Sequence, residues 1–186
     1  MSRRYSAGDR FPDLTVSTVD RPDRQVGELL HGLTVFWVLR YVGCPFCQLD
    51  LVMLKAAYDR IRAQGAQVFV VMQSDKAHIR AALEQESFPF EIVCDGQQRF
   101  YRALGIDPAE NEEAFRGDAR RLAEKIAMVD AKGFRHGDYE GDELQLPAIF
   151  VVGEDGIIQY AHYAEDVLDM PAADELPGLL AQLRRE

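Results

Sequence analysis

Residues 33–47 read Leu-Thr-Val-Phe-Trp-Val-Leu-Arg-Tyr-Val-Gly-Cys-Pro-Phe-Cys, and this stretch decides the fold. Its first part, residues 33–39, is an apolar run typical of a strand that is buried on both faces. A cysteine pair, Cys44 and Cys47, follows a short loop, and an amphipathic pattern continues from it to about Arg62. We therefore predict a buried strand, a connecting loop and a helix that begins at the cysteine pair.

The start of this helix has properties of its own. Pro45 suits the first helical position, because proline lacks an N–H group that would have no partner there. The free N–H groups of the first turn and the helix dipole create a positive environment. Further along, the apolar spacing predicts one inward side. That side comprises Phe46, Leu49, Val52, Met53 and Ala56.

The motif Cys44-Pro-Phe-Cys47 at a helix start indicates a redox-active dithiol. A thiolate in this position is stabilised, so its pKa falls and it becomes a nucleophile near neutral pH. A zinc site is one alternative, but zinc usually takes four ligands, and the chain has no second CxxC or HxxxH pair. A structural disulfide is another, but a bridge between such close neighbours constrains little of the unfolded chain. We favour redox chemistry without a metal.

Each residue near the motif has an expected role. Cys44 is expected to be the nucleophile, because the first cysteine of such a pair points outward at the helix end. Cys47, one turn further in, would be the resolving thiol that attacks a mixed disulfide or a sulfenic acid. Arg40 either stabilises the thiolate from the connecting loop or is solvated and paired with an acidic residue. Phe46 would offer substrates an apolar surface between the cysteines.

Length and composition are typical of a single globular domain, residues 1–186. The formal net charge of −10 disfavours nucleic acid and anionic membranes as partners. No apolar run reaches the roughly 18 residues that a membrane helix requires. Residues 1–8 lack the apolar core of a signal peptide, and the few cysteines suit a reducing compartment, so we expect a cytoplasmic protein.

The remaining chain alternates strands with helices, which indicates an α/β core. A hairpin turn is predicted at residues 20–24, and a helix capped by Ser74 or Asp75 is predicted to extend to about Glu86. A last helix is expected from about Ala172, with an interruption at Pro177-Gly178. Further strands are predicted at residues 67–72, 90–93, 146–152 and 157–162.

Residues 107–143 fit this alternation least well. One helix is predicted to start at Asp107-Pro108, and a charged, glycine-rich loop follows it. His136, in that loop, is the histidine best placed to approach the cysteines. Cys94 is expected to be a small packing residue rather than a second resolving thiol. The apolar positions of the predicted helix are Phe115, Ala119, Leu122, Ile126 and Val129.

The layout resembles the thioredoxin fold, and three segments carry a closer resemblance. Residues 8–30 are similar to the opening segment of the peroxiredoxin and alkyl hydroperoxide reductase/thiol-specific antioxidant (AhpC/TSA) family. Phe90-Glu-Ile-Val-Cys-Asp95, followed by Tyr101-Arg-Ala-Leu-Gly-Ile, resembles the strand and helix after that family's active site. Pro147 matches the proline that thioredoxin-fold proteins hold in cis beside the cysteine pair.

This resemblance implies a central mixed sheet flanked by helices, with an N-terminal β extension and a helical insertion, about residues 107–143, before the cis-proline strand. Pro147 would shape a groove for a partner's sulfur atom, and Leu146 and Gln145 would line it. A thioredoxin- or glutathione-type reductant is implied, together with a disulfide or peroxide substrate. No cofactor is expected, and a homodimer is left open.

One departure from the family affects the expected activity. Classical peroxiredoxins carry a Pro-x-x-x-Thr/Ser-x-x-Cys signature, but Tyr41 and Trp37 occupy the corresponding positions before Cys44. Counting back from Cys47 gives Cys44 and Arg40 instead. The leading hypothesis is therefore a thiol–disulfide oxidoreductase on a peroxiredoxin-like scaffold. A thiol peroxidase that reduces hydrogen peroxide or organic hydroperoxides is the alternative, and a non-catalytic redox sensor is a third.

Overall fold

A five-stranded sheet lies at the centre of the protein in the computed structural model, which describes residues 3–185. Two short strands, β1 (Thr15–Val16) and β2 (Arg24–Gln25), form an antiparallel hairpin before it. The sheet contains β3 (Leu33–Val38), β4 (Ala66–Met72), β5 (Glu91–Cys94), β6 (Ala148–Val152) and β7 (Ile158–Tyr163). Their spatial order is β5-β4-β3-β6-β7. Strands β5, β4 and β3 are parallel, β6 is antiparallel to β3, and β7 is antiparallel to β6. The predicted mixed sheet is confirmed.

The helices pack on both faces of this sheet, as the α/β pattern predicts. They are α1 (Pro45–Ala63), α2 (Lys76–Gln85), α3 (Arg99–Leu104), α4 (Glu112–Arg116), α5 (Ala119–Ala131) and α6 (Leu176–Leu183), with a 3-10 turn at Val26–Leu29. Asp75 is the cap of α2, and its carboxylate accepts hydrogen bonds from the N–H groups of Ala77 and His78. Within residues 3–185, no helix is both long enough and apolar enough to cross a membrane.

Strand β3 is the middle strand and is buried on both faces. Val35 and Trp37 point into the core that contains α1 and α6. Phe36 and Val38 point into the opposite core, which contains α3. Because successive side chains of a strand alternate between faces, an uninterrupted apolar run is what a central strand of this kind requires.

The buried face of α1 differs from the predicted one. Met53 is 36% exposed, and Ala56 is also exposed. Leu49 is buried as expected. The helix carries apolar side chains on more than one side, and contact with the sheet selects the stripe with the larger aliphatic groups. Its buried residues are Cys47, Leu49, Leu51, Leu54, Ala57 and Ile61.

The insertion contains two helices, not the single predicted helix. Gly117, with a φ of +62°, ends α4, and Asp118 then caps α5 with its carboxylate. On α5 only Val129 is buried, whereas Ile126 is 43% exposed. The apolar residues keep a helical spacing through residues 117 and 118, although Gly117 ends one helix there and Asp118 caps the next. At the C-terminus, the predicted interruption is absent, because Pro177 lies in the first turn of α6, where proline is tolerated.

Candidate active site

Residues 39–44 connect β3 to α1 and place the cysteine pair at the helix start. Cys44 is the N-cap residue, with extended backbone angles, and Pro45 is the first residue of α1, as predicted. Tyr101 fixes the loop from α3, because its hydroxyl donates a hydrogen bond of 2.5 Å to the carbonyl of Leu39. The sulfur atoms of Cys44 and Cys47 are free thiols in this structure.

Arg40 lies against the cysteine pair rather than in solvent. Its Nη1 donates a hydrogen bond of 3.2 Å to Cys44 Sγ, and the residue is only 7% exposed. Its Nη2 donates to the carbonyl of Glu143, and its guanidinium lies 4.5 Å from the ring centroid of Phe115. Of the two alternatives for Arg40, the structure therefore supports contact with the thiol, because burial leaves the cation few other polar partners.

The environment makes the two thiols chemically unequal. The pKa of Cys44 is lowered to about 6, chiefly because the Cys47 thiol donates a hydrogen bond to it; burial opposes this shift, and the charge of Arg40 supports it. Burial raises the pKa of Cys47 well above its ordinary value. Near neutral pH, Cys44 is thus a thiolate while Cys47 keeps its proton. This is the arrangement expected for a nucleophile and a resolving thiol.

Cys44 does not point outward, contrary to the prediction. It is 1% exposed and Cys47 is 2% exposed. Residues 133–145, which we call the strap, pack against the loop that carries Cys44. Gly137 N donates a hydrogen bond of 2.8 Å to Gly43 O, and a Cβ atom on Gly43 would lie only 2.3 Å from the carbonyl oxygen of Asp138. A segment far along the chain therefore packs directly on the loop that holds Cys44.

His136 of the strap does approach the site, as the sequence suggested. Its Nε2 lies 3.1 Å from the hydroxyl of Tyr41, and its Nδ1 lies 2.8 Å from Gly137 O. Tyr41 is fully buried, and burial raises the pKa of its phenol to about 12. The guanidinium of Arg40 lies 4.9 Å from the centroid of the Tyr41 ring. The tyrosine thus connects the strap to the cation that contacts Cys44.

Pro147 differs from the prediction, because the Leu146–Pro147 bond is trans. A Leu-Pro sequence does not determine the isomer, and trans is the ordinary state by about 0.5–1 kcal/mol. Pro147 is buried, and its carbonyl accepts a hydrogen bond of 3.2 Å from Ala164 N. Leu146 and Gln145 are buried too, and Gln145 Nε2 donates to Ile106 O at 2.9 Å. Their role in a substrate groove remains a prediction.

Phe46 and Cys94 lie in different surroundings. Phe46 is half-buried, and the ammonium of Lys125 lies 5.5 Å from its ring centroid. The same lysine pairs with Asp50 at 3.0 Å, so α5 contacts α1 just beyond the cysteines. Cys94 is also partly buried, and burial raises the pKa of its thiol to about 11. A partly buried thiol that packs against the core and has a raised pKa fits the predicted packing role.

Several contributors to the site were missed from the sequence. Tyr41, Phe115 and the carbonyl of Glu143 all contact Arg40. Tyr41 was available as the neighbour of Arg40, but the other two lie in the insertion. No local pattern relates residues of the insertion to a loop that precedes them by many tens of positions, so only the fold brings them together.

A buried, reduced dithiol at a helix start, next to a guanidinium and on a thioredoxin-like sheet, defines a thiol-dependent oxidoreductase. The sequence profile described as the AhpC/TSA family matches residues 7–161. The chain belongs to the AhpC/TSA family, which confirms the resemblance found in the sequence.

Solved structures of peroxiredoxins share the fold. Peroxidoxin BcpB from Mycobacterium tuberculosis is 13% identical, with a TM-score of 0.68, covering 98% of this chain and 98% of that chain. Peroxiredoxin Q from Xanthomonas campestris is 14% identical, with a TM-score of 0.66, covering 100% and 98%. Peroxiredoxin 6 of Arenicola marina is 13% identical, with a TM-score of 0.73, covering 97% and 74%. No curated protein sequence matches this chain.

Proposed function

We propose that this protein is a thiol peroxidase that reduces small hydroperoxides, with Cys44 as nucleophile and Cys47 as resolving thiol. One observation carries the proposal: Cys44 combines a lowered thiol pKa with 1% exposure. Activation favours attack on an oxidant, and burial favours a substrate small enough to enter a closed site. Membership of the AhpC/TSA family, with peroxiredoxins as structural neighbours, supports the same reading.

The proposed reaction has two steps on the protein. The Cys44 thiolate attacks the terminal oxygen of ROOH, the O–O bond breaks, and Cys44 becomes a sulfenic acid while RO⁻ takes a proton to leave as ROH. The Cys47 sulfur then attacks the Cys44 sulfur; its proton and the hydroxyl group leave as water, and a disulfide forms. An external dithiol, or two molecules of a monothiol, returns the protein to its reduced state.

Arg40 would serve the first step as a fixed positive charge. Its Nη1 already contacts Cys44 Sγ, and its position is held by Glu143 O and the ring of Phe115. Such a charge favours the thiolate and attracts the oxygen on which negative charge develops as the O–O bond breaks. Cys47 stays protonated until Cys44 has been oxidised, which keeps the two steps in order.

Thiol–disulfide exchange, the leading hypothesis from the sequence, is the second candidate. The CxxC spacing and the unequal thiols support it, because the same dithiol can reduce a mixed disulfide. Burial of Cys44 is the argument against its action on disulfides of folded proteins. Such a substrate would have to bring its own sulfur to Cys44 through the strap.

Cysteine variants test the proposal in a peroxide-consumption assay in which a small dithiol, dithiothreitol, returns the protein to its reduced state. Cys44→Ser should abolish turnover, whereas Cys94→Ser should match the unaltered protein and serves as the matched control. Cys47→Ser should allow one oxidation of Cys44, detected by mass as a sulfenic or more highly oxidised sulfur. Full turnover by Cys44→Ser would refute the assignment of the nucleophile.

The remaining assignments are proposals that follow from this chemistry. We propose a thioredoxin- or glutathione-type reductant and a cytoplasmic location, where such reductants are abundant. One domain spanning residues 1–186 is likewise proposed, with residues 107–143 as its insertion; residues 1, 2 and 186 lie outside the described residues. A homodimer is compatible with the exposed Ile126 and Met128 on α5.

A further inference from the structure

The strap packs against the loop that presents Cys44. Its residues contact that loop at Tyr41 through His136 and at Gly43 through Gly137. Arg135 O also accepts a hydrogen bond of 3.3 Å from Gln48 Nε2, one turn into α1. With the strap in this position, both thiols are almost inaccessible to solvent. Access to Cys44 therefore depends on what holds the strap in place.

Glu140 anchors the strap to the start of α2, because its one carboxylate makes several contacts there. Its side chain is 10% exposed, although its neighbours Asp138 and Tyr139 are largely exposed. One carboxylate oxygen accepts a hydrogen bond of 2.7 Å from Ser74 Oγ. The other accepts from Asp75 N at 3.0 Å and lies 2.8 Å from His78 Nδ1. A single strap side chain thus contacts three residues around the start of α2, namely Ser74, Asp75 and His78.

The anchor is linked directly to the nucleophile loop. Ser74 Oγ, which donates to Glu140, also accepts a hydrogen bond of 2.9 Å from Val42 N. Val42 lies two residues before Cys44. A second anchor lies further along the strap, where Gln73 Nε2 donates to Asp142 O at 2.6 Å and Asp142 N donates to Gln73 Oε1 at 3.1 Å. Release of Glu140 would therefore loosen the part that packs on Gly43, which keeps its hydrogen bonds to Tyr41, Gly43 and Gln48, while residue 142 stays attached.

We propose that Glu140 determines substrate size by holding the strap over Cys44. This proposal rests on the proposed thiol chemistry of Cys44 and specifies its substrate class. In the reduced protein, with Glu140 bound to Ser74, Asp75 and His78, small hydroperoxides reach Cys44 and disulfides on folded proteins do not. When the anchor is broken, the strap opens locally and the larger substrates gain access.

Charge is part of the anchor. His78 is surrounded by acidic groups, namely Glu140, Asp75 and Asp138, at 2.8, 3.5 and 3.9 Å. These groups also bring together potential cation ligands, but both oxygens of Glu140 already have hydrogen-bond partners within the protein. The cluster is explained by its role in fastening the strap. Hydrogen bonds to a charged carboxylate are stronger than those to a neutral amide, so glutamine should weaken the anchor less than alanine does.

Labelling of Cys44 with reagents of two sizes tests this proposal. The variants Glu140→Ala and Glu140→Gln are made in a Cys47→Ser, Cys94→Ser background, so that Cys44 is the only thiol. Glu140→Ala should raise the labelling rate by a polymer-linked maleimide about tenfold or more, and change the rate with iodoacetamide by less than about twofold. Glu140→Gln should fall between alanine and the unaltered strap. Glu154→Ala, at an exposed turn, is the matched control and should change neither rate.

The outcomes separate the strap from the chemistry. Equal changes for both reagents, or no change for the maleimide, would overturn the role of Glu140. If Glu140→Ala does not fold, Glu140→Gln decides by the same ratio of rates. Hydrogen peroxide oxidation of the protein with all its cysteines tests the proposed function on its own. If the protein does not react with peroxide but Glu140→Ala still changes the ratio of labelling rates, the role of the strap stands and the peroxidase proposal fails.

Discussion

At the level of single residues, the proposed chemistry rests on the contact between Arg40 and Cys44. The guanidinium is buried, and its Nε has no hydrogen-bond partner among the described residues. Burial of a cation costs free energy that nearby negative charge offsets. The Cys44 thiolate is the negative partner at this position, with the sulfur 3.2 Å from Nη1. Thiolate and guanidinium therefore stabilise each other.

The pH dependence of alkylation tests this pairing. Because the pKa of Cys44 is lowered to about 6, its reaction with iodoacetamide should rise as the pH increases through about 6 and level off well below pH 9. Arg40→Met keeps much of the side-chain volume but removes the charge, so the midpoint should move to higher pH. A Cys94→Ser protein provides the control for labelling elsewhere. An unchanged midpoint in Arg40→Met would show that the guanidinium does not stabilise the thiolate.

At this scale the sequence carried much of the site. A CxxC motif after an apolar strand predicted that Cys44, Pro45 and Cys47 lie at a helix start, where the structure places them, because spacing and helix-start chemistry are local properties. The isomer of the Leu146–Pro147 bond was predicted incorrectly, since it depends on tertiary surroundings rather than on the dipeptide. Exposure of Cys44 was also predicted incorrectly, because the strap that covers it follows much later in the chain.

Helix α1 is the element that connects the site to the core. Its buried residues pack in the same core as Trp37, and Cys47 lies at the start of that buried stripe. The sequence located this helix within a residue or two but assigned its inward face partly wrongly. Periodicity detects an apolar stripe, but a helix with apolar groups on several sides needs its packing partner to decide which one is buried.

Two leucine-sized side chains on neighbouring positions of α1 test the observed face. Leu54 is fully buried, so Leu54→Ala should lower the free energy of unfolding by about 2–5 kcal/mol. Met53 is 36% exposed, so Met53→Ala should cost no more than about 1 kcal/mol. Urea unfolding of both variants provides the comparison. Equal losses, or a larger loss at Met53, would contradict the orientation of the helix.

The insertion shows a further limit of prediction at the level of elements. The apolar spacing from Phe115 to Val129 predicted one helix, but the structure divides it at Gly117. A Cβ at Gly117 would lie 2.2 Å from Asp166 Oδ2, and its φ is in the left-handed region. The position therefore requires glycine for close packing as well as for backbone conformation. Close approach of this kind is a property of the folded chain, which periodicity does not record.

At the scale of the whole molecule, the family scaffold and the insertion contribute different parts of the surroundings of Cys44 and Cys47. The sheet and α1 place Cys44 and Cys47 as thioredoxin-like proteins require, and the sequence predicted this part through alternation of strands and helices. The insertion then adds Phe115, the Glu143 carbonyl and the strap around the same thiols. Cys44, the proposed nucleophile, is thereby enclosed. Enclosure, rather than the motif itself, favours a small oxidant over a protein disulfide.

The most direct test of this account uses Trp37, the single tryptophan, which is buried on β3 in the same core as both cysteines. Fully reduced protein is mixed rapidly with hydrogen peroxide while its fluorescence is followed, and mass analysis identifies the Cys44–Cys47 disulfide. The account predicts that this disulfide forms orders of magnitude faster than free cysteine is oxidised. Oxidation no faster than that of free cysteine, with rapid exchange against a disulfide substrate, would contradict it and establish a thiol–disulfide oxidoreductase instead.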